Sequence, residues 1–441
     1  MRTSMSSRAT PGVPRAGQRV AIVGTGISGL TVAHRLQRDF DVTLFESGDY
    51  VGGHTNTIDV VYDDVQYAID TGFIVFNEWT YPNFITLLDE LGVASQESSM
   101  GFSVKCPATG VEYCGTSMDS IFAQRRNALR PSFLWMLREI LRFNRQAPRL
   151  LETPDDAMTL GEFLDRGRYS KRFVDHFIIP MGAAIWSACP AAMRDIPARF
   201  FIRFFANHGM LSVDDRPMWR VVSGGSREYV RAITAPFGDR IRLNTAVRAV
   251  QRRDDEVALE LADGSREVFD SVVLATHSDT ALRLLAEPSP QEQAILSSMP
   301  YQENEATLHV DESVLPRSPR AWAAWNYHVP TEPRDRVAVT YNMNILQRLR
   351  APDGVELPVQ FCVTLNDDAA IDADKVLQRI RYHHPIFSTQ SIAAQARHGE
   401  ISGRHRTFYC GAYWGNGFHE DGVTSGLKVA QQVRDGSLIV R

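Results

Sequence analysis

Gly24-Thr25-Gly26-Ile27-Ser28-Gly29 decides the fold of this chain because of what stands on either side of it. An apolar run, Arg19-Val20-Ala21-Ile22-Val23, comes before it, and a helix-like stretch from Leu30 to Gln37 follows. A second apolar run, Asp41-Val42-Thr43-Leu44-Phe45, then ends in Glu46-Ser47. Strand, glycine turn, helix, strand and acid is the order that a dinucleotide requires. The first glycine allows a sharp turn, the second lets backbone approach a pyrophosphate, and the third lets helix and strand pack closely. The helix N-terminus offers N–H groups and the positive end of a dipole to the phosphates. Glu46 lies seventeen residues beyond Gly29, where a carboxylate accepts hydrogen bonds from ribose hydroxyls. Gly24, Gly26, Ile27, Ser28, Gly29, Glu46 and Ser47 are therefore the first candidate cofactor-binding residues.

The 441 residues suffice for two or three domains, and 44% hydrophobic with 22% charged residues is ordinary for a globular protein. A net charge of −5 excludes the basic field that nucleic-acid binding needs. Five scattered cysteines (106, 114, 189, 362, 410) form no CxxC pair, which fits a reducing cytosol. Residues 1–17 hold Arg2, Arg8 and Arg15 without an acid and without the apolar core of a signal peptide. A disordered leader is expected there. No apolar run is long enough to span a membrane, so a cytoplasmic protein, peripheral at most on the inner face of the membrane, is expected.

The fold class expected is α/β, with one nucleotide-binding domain written in pieces at 18–75, 218–282 and 402–441. The middle piece begins at Ser223-Gly224-Gly225-Ser226 and includes an apolar run from Ile241 to Val250. It continues through Val257-Ala258-Leu259-Glu260-Leu261 and the hairpin signal Asp263-Gly264 to a buried parallel strand, Val272-Val273-Leu274-Ala275-Thr276. The last piece runs from Thr407-Phe408-Tyr409-Cys410 through a glycine-rich loop into a final helix, Thr424 to Arg434. The stretches 76–217 and 283–401 form an α+β substrate domain, with strand-like runs at Val337–Tyr341 and Val359–Val363.

Later segments turn the dinucleotide into FAD. Gly52-Gly53-His54-Thr55 follows the ribose acid and lets a second loop close on the cofactor. Asp70-Thr71-Gly72-Phe73 places a small-residue strand where a flavin ring lies against backbone. Thr245-Ala246-Val247, with Val247 as cofactor residue, and Leu274-Ala275-Thr276-His277, with Thr276, continue the set. Gly411, Asp421, Gly422 and Val423 form a late loop opening a helix, whose N-terminus stabilises negative charge on a reduced flavin. At these residues the chain resembles the flavin-containing amine oxidase and phytoene desaturase superfamily, over nearly its whole length. The resemblance implies a glutathione-reductase-type, Rossmann-like FAD domain carrying the inserted substrate domain.

Asp70 to Asn77, Tyr81-Pro82-Asn83 and Tyr413 to Gly422 resemble a narrower bacterial branch found beside cyclopropane fatty acid synthase-like methyltransferases. One member type is the desaturase of methylated fatty acyl chains in furan fatty acid synthesis. That resemblance implies a lipid acyl substrate, and a lipid methyltransferase as partner. Two departures separate the chain from amine oxidases. The family's substrate-domain lysine, which holds a water near the flavin, has no counterpart between Lys171 and Lys375. His419 stands three residues before Gly422, at the spacing where amine oxidases carry a cage tyrosine. No second nicotinamide fingerprint is present.

The chemistry expected is hydride transfer from a C–H bond to FAD, with His419 and Trp414 as candidate catalytic residues. His419 is either the base, its reference pKa lying near working pH, or a group that hydrogen-bonds FAD or caps the loop. Trp414, Tyr413, Trp322, Trp325 and Tyr327 either line an apolar tunnel or are ordinary core. The consecutive trio His419-Glu420-Asp421 points its side chains apart, so no metal is expected. Glu420 and Asp421 face phosphate or ribose and keep the loop in place, and His383-His384-Pro385 reads as a turn. The alternatives are a redox-neutral double-bond isomerase, an amine oxidase, and a non-catalytic FAD-bearing partner of a lipid methyltransferase.

Between 125 and 149 lie seven arginines against one acid, Glu139. On a helix from 132 to 149, Arg138, Arg142, Arg145 and Arg149 share a sector, with Phe133, Leu134, Met136, Leu137, Ile140 and Leu141 opposite. Such a helix either meets an anionic membrane surface or packs its apolar face inward and solvates its arginines. Arg199-Phe200-Phe201-Ile202-Arg203-Phe204-Phe205 is a second basic and apolar segment.

Overall fold

A computed structural model describes residues 17–152, 157–332 and 334–436. Apart from Gly17, the expected leader at 1–17 lies outside the described residues. The chain forms two compact units: one from residues up to Gly53, Ile233–Met299 and from Ala393 onward, the other from His54–Ala232 and Pro300–Ile392. Residues 54–75 and 218–232, which the sequence groups with the nucleotide-binding pieces, pack instead within the second unit.

The first unit is built on a five-stranded, all-parallel sheet. Its order is Ile241–Arg242, Asp41–Phe45, Arg19–Val23, Ser271–Leu274 and Thr407–Tyr409. Val20, Ile22, Val42, Leu44, Val272 and Val273 are buried, as a sheet covered on both faces requires. Pairing aligns Val23 with Phe45 and Leu274, Phe45 with Arg242, and Leu274 with Tyr409. Because every strand runs the same way, the loops that follow them emerge at one edge. The expected run from Ile241 to Val250 is divided: Ile241–Arg242 joins the parallel sheet, while Val247–Arg252 joins an antiparallel sheet. In that second sheet Val257–Leu261 pairs with Arg266–Phe269 across Asp263-Gly264.

The first helix, Ile27–Leu36, packs on the C-terminal helix His419–Arg434, which begins five residues earlier than its sequence suggests. A Cβ at Gly422 would stand 2.7 Å from Ile27 Cγ2, and one at Gly426 would stand 2.7 Å from the Ser28 carbonyl oxygen. Two glycines one helical turn apart thus bring the backbones of the two helices together.

The second unit holds a seven-stranded mixed sheet in the order Val376–Pro385, Tyr301–His309, Cys362–Leu365, Val339–Asn342, Trp325–His328, Phe102–Cys106, Val111–Cys114. Only Trp325–His328 and Phe102–Cys106 run parallel among these pairs. His383-His384-Pro385 ends a strand rather than forming a turn, because it pairs with Tyr301–Glu303. The unit also holds the hairpin Thr57–Tyr62 with Val65–Asp70 and helices including Pro131–Gln146 and Ala198–Asn207. The latter is core, with Phe201, Ile202, Phe204 and Phe205 buried and Phe200 stacked on Phe387. Its exposed residues are Arg203 and Asn207. Among the described residues no helix is long and apolar enough to cross a membrane.

Candidate functional site

Within the first unit the carboxyl edge of the parallel sheet collects Gly24, Glu46, Thr276 and Gly411, each following its strand directly or within two residues. The carboxyl ends of the strands are where open α/β sheets bind ligands. The three glycines of the turn differ in their surroundings. Gly24 has φ +101°, and a Cβ there would lie 2.7 Å from the Ala275 carbonyl oxygen and 3.5 Å from Thr276 Cγ2. A Cβ at Gly29 would collide with the Gly24 carbonyl. At Gly26 it would meet nothing within 4 Å. The turn is therefore closed by packing at Gly24 and Gly29 and open at Gly26. Gly26 is also the N-cap of the helix and supplies no side-chain cap, so the first-turn N–H groups of Ile27, Ser28 and Gly29 suit an anion.

Glu46 fixes the turn from the neighbouring strand. Its carboxylate accepts the Thr25 N–H (3.1 Å), the Thr25 hydroxyl (2.6 Å) and the Gly48 N–H (2.9 Å), with Ser47 Oγ at 3.4 Å. Asn244 N–H donates to Gly48 O (2.8 Å) and Thr245 N–H to Glu46 O (2.7 Å), which leads the chain into buried Val247 beside this end. Gly52 N–H donates to Thr25 O (3.1 Å), and a Cβ at Gly53 would lie 3.2 Å from Gly26 Cα. The second glycine pair thus lies against the first.

The late loop is held from several sides. Gly411 N–H donates to Ser425 Oγ (3.1 Å), and Gln395 Nε2 donates to the Tyr413 (2.9 Å) and Gly415 (2.6 Å) carbonyls. Asp421 accepts the Phe418 N–H (2.9 Å), and burial raises its carboxyl to about 6. Its side chain caps the helix and so holds the loop in place. His419 is buried in the first turn, Gly422 and Val423 are buried behind it, and Glu420 is half-buried. Trp414 is half-buried beside the loop, with the His398 ring edge-on at 4.5 Å. Burial lowers His398 to about 4, so its imidazole is neutral at physiological pH.

In the second unit the segment after Gly53 is stitched to the end of the hairpin. Phe73 N–H donates to His54 O (2.7 Å), and Thr71 N–H and hydroxyl both donate to Asn56 O (2.9 Å each). A Cβ at Gly72 would collide with the His54 carbonyl. Thr55 Oγ1 hydrogen-bonds the buried Tyr229 hydroxyl, and the Phe73 ring meets Phe84 edge-on at 5.3 Å. The His54 ring stacks on Tyr382 (5.1 Å) and contacts His384 (5.3 Å). Desolvation pulls His54 down to about 4.

Behind this segment Asp70 is fully buried. Its Oδ1 accepts the Thr57 hydroxyl (2.6 Å), the Ser226 N–H (2.9 Å) and the Ser226 hydroxyl (2.7 Å), while Gln347 Oε1 accepts the Asp70 N–H (3.0 Å). Gly225, at φ +94°, passes so close to Thr57 that a Cβ would lie 2.7 Å from its methyl group. Burial lifts the Asp70 carboxyl to about 6.

Tyr382, Gln347, Gln395 and Gly426 escaped sequence reading, while Ser226 was read only as part of a glycine-rich start and His384 only as part of a turn. The spacing of Gly422 and Gly426 was a readable signal, and so was strand alternation, which puts Tyr382 and His384 on one face. Trp322, Trp325 and Tyr327 are second-unit packing: Trp322 Nε1 donates to Pro316 O (2.8 Å), and Trp325 meets Tyr341 edge-on. The lysines of this unit are all occupied. Lys105 Nζ donates to the Ser313 (3.1 Å), Val314 (3.3 Å) and Leu315 (2.9 Å) carbonyls. Lys171 is exposed and pairs with Asp175, and Lys375 pairs with Asp311 at 3.2 Å.

Comparison with known proteins agrees with this geometry. The model of the flavin containing amine oxidoreductase family matches residues 27–385. Protoporphyrinogen oxidase 2 of Arabidopsis thaliana is 26% identical over 191 residues, covering 40% of this chain and 34% of that protein. Flavin-containing amine oxidase A of Canis lupus familiaris is 25% identical over 253 residues, covering 55% of this chain and 46% of that protein. The chain thus spans less than half the length of either relative. Among solved structures, a putrescine oxidase bound to putrescine superposes with a TM-score of 0.65 at 16% identity, over 95% of this chain and 99% of that one. A fatty acid isomerase from P. acnes that produces CLA gives 0.66 at 16% identity, over 94% and 98%. The chain belongs to the flavin containing amine oxidoreductase family, and FAD is its cofactor.

Proposed function

We propose that this oxidoreductase dehydrogenates fatty acyl chains, methyl-branched ones included, carried in membrane phospholipid. The observation that carries the reading is the fate of the lysines. Every lysine of the second unit is either bonded to backbone carbonyls or paired with a carboxylate at or near the surface. The unit therefore offers no ammonium to hold a water for amine oxidation. The similarity in fold to a CLA-producing fatty acid isomerase supports an acyl chain as a substrate this architecture can house.

When bound, FAD would supply the two-electron acceptor for hydride from an allylic C–H bond, and the adjacent carbon would give up a proton as the new double bond formed. The chain's own part is to hold the acyl carbon and take the proton. His419, buried at the start of the C-terminal helix, is the residue proposed to take it. Gly24, Gly26 and Gly29 would hold the pyrophosphate, and Glu46 would meet the ribose. Gly52, Gly53, His54, Thr55, Thr71, Gly72, Phe73, Val247, Thr276, Gly411, Gly422 and Val423 would contact the rest of the cofactor.

The purified yellow protein, given liposomes with methyl-branched monoenoic chains under nitrogen, is expected to bleach its flavin while a conjugated diene absorbance grows. His419→Gln is expected to keep FAD but slow flavin reduction by about a hundredfold or more. Peroxide release from an amine panel without any lipid reaction would overturn the proposal. A shifted double bond at unchanged mass would replace desaturation with isomerisation.

A further inference from the structure

We propose that the outer face of helix Pro131–Gln146, with the turn before it, docks on an anionic phospholipid bilayer. The inner face of this helix needs nothing more, since Phe133, Met136 and Phe143 are fully buried. Yet Leu134, Trp135 and Leu141 are 43%, 53% and 54% exposed, and Leu129, at the end of the preceding turn, is 86% exposed. At about 100° per residue, Leu141, Leu134, Arg145, Arg138 and Trp135 fall in that order across about a third of the helix circumference. The buried side chains lie opposite. A single exposed leucine calls for no explanation, but large apolar side chains gathered on one stripe mark an interaction surface.

The charges say what kind of surface it meets. Seven arginines stand between 125 and 149 against Glu139, and Glu139 is buried, accepting Ser170 N–H (2.9 Å) and facing Arg142 at 3.6 Å. Among the described residues, no ion pair engages Arg138, Arg145 or Arg149. Arg138 lies over the Trp135 ring at 5.6 Å, a pairing of cation and amphipathic ring suited to headgroup depth. A second copy of the same face would set arginine against arginine, which disfavours self-association. Apolar side chains that enter the acyl boundary, ringed by cations that meet lipid phosphates, fit an anionic bilayer.

The surface differs from the one its sequence suggests. Arg142 turns inward, donating to Gly167 O (3.0 Å) with its guanidinium 4.0 Å from the Tyr169 ring centroid. Arg149 is exposed but lies beyond the helix, which ends at Gln146. Docking would bring the enzyme to the lipid that carries its proposed substrate, yet binding can be read without turnover. A chain that docks without bleaching its flavin separates this inference from the proposed reaction.

The test uses the full chain loaded with FAD and vesicles of phosphatidylcholine with and without phosphatidylglycerol. Co-sedimentation with the anionic vesicles alone, weakened by salt, is the expected result. Arg138→Ala/Arg145→Ala is expected to lower partition about thirtyfold. Leu134→Ser/Trp135→Ser is expected to lower it at every salt concentration. Both pairs are exposed, so flavin absorbance and melting temperature should match the parent chain. Equal binding to neutral and anionic vesicles, no binding, or variants that bind like the parent would overturn the proposal. So would a dimer in solution that Leu134→Ser/Trp135→Ser splits, which would assign the face to self-association.

Discussion

Gly26 and Gly29 stand three residues apart in one turn, yet a methyl group added at each would meet different surroundings. At Gly29 it collides with the Gly24 carbonyl, whereas at Gly26 it enters open space. Gly29→Ala should therefore destabilise the protein by about 1–3 kcal/mol, read by chemical denaturation. Gly26→Ala should fold normally but bind FAD at least about tenfold more weakly, a loss of roughly 1.4 kcal/mol. Equal melting temperatures for the two apoproteins would contradict this division of roles. Asp70 makes a second case. Truncating it to Ala strands the Ser226 N–H and hydroxyl and the Thr57 hydroxyl in the interior, costing about 3 kcal/mol. Asp70→Asn keeps an acceptor oxygen and should cost less, as paired denaturant melts will show. The tight turn at Gly24 and the close packing at Gly29 were legible in the sequence because they are local. The sequence put Asp70 in the flavin-facing strand but not in a buried hydrogen-bond network, because its partners lie 13, 156 and 277 residues away.

At the scale of elements, the contact of helix Ile27–Leu36 with helix His419–Arg434 rests on Gly422 and Gly426. A larger residue at Gly426 meets Ser28 O at 2.7 Å and Thr31 Cβ at 2.9 Å. Gly426→Leu should thus force the helices apart, lowering stability by about 1–3 kcal/mol and speeding FAD release. Lys428→Leu, on the exposed side of the same helix, should change stability by less than about 0.5 kcal/mol. Strand and helix identities were largely readable here, and their ends less so. The final helix starts at His419 rather than Thr424 because the Asp421 carboxylate accepts the Phe418 N–H and caps the first turn, with no Ser or Thr at the N-cap to announce it. The arginine helix was foreseen as a helix, but which of its apolar residues are buried was not. Leu134 and Phe133 look alike in a sequence.

For the whole molecule, acidification sets two groups of residues against each other. Desolvation holds His54, His208, His309 and His398 each near pKa 4, below the usual 6.5. As pH falls from 6.5 towards 4, the unfolded chain takes up protons that the folded chain refuses, so stability falls. Asp70 and Asp421, raised from 3.8 to about 6 by burial, act oppositely: the folded chain protonates first and gains stability as pH falls through 6. Four groups against two leave a net loss. The melting temperature should therefore drop between about pH 7 and 5, and His54→Gln/His398→Gln should flatten the slope. A melting temperature that stays level or rises on acidification would refute the assignment. Sequence by itself determined the α/β class, the glycine turn, the acid after the second strand and the FAD family, because backbone sterics and strand–turn–helix order act over a few dozen residues. Only the tertiary structure decided that one sheet edge gathers Gly24, Glu46, Thr276 and Gly411, that Asp70 is locked beneath Ser226, and that Arg142 faces inward while Trp135 faces out. Those outcomes depend on which distant surfaces exclude water from one another, and no local pattern records that.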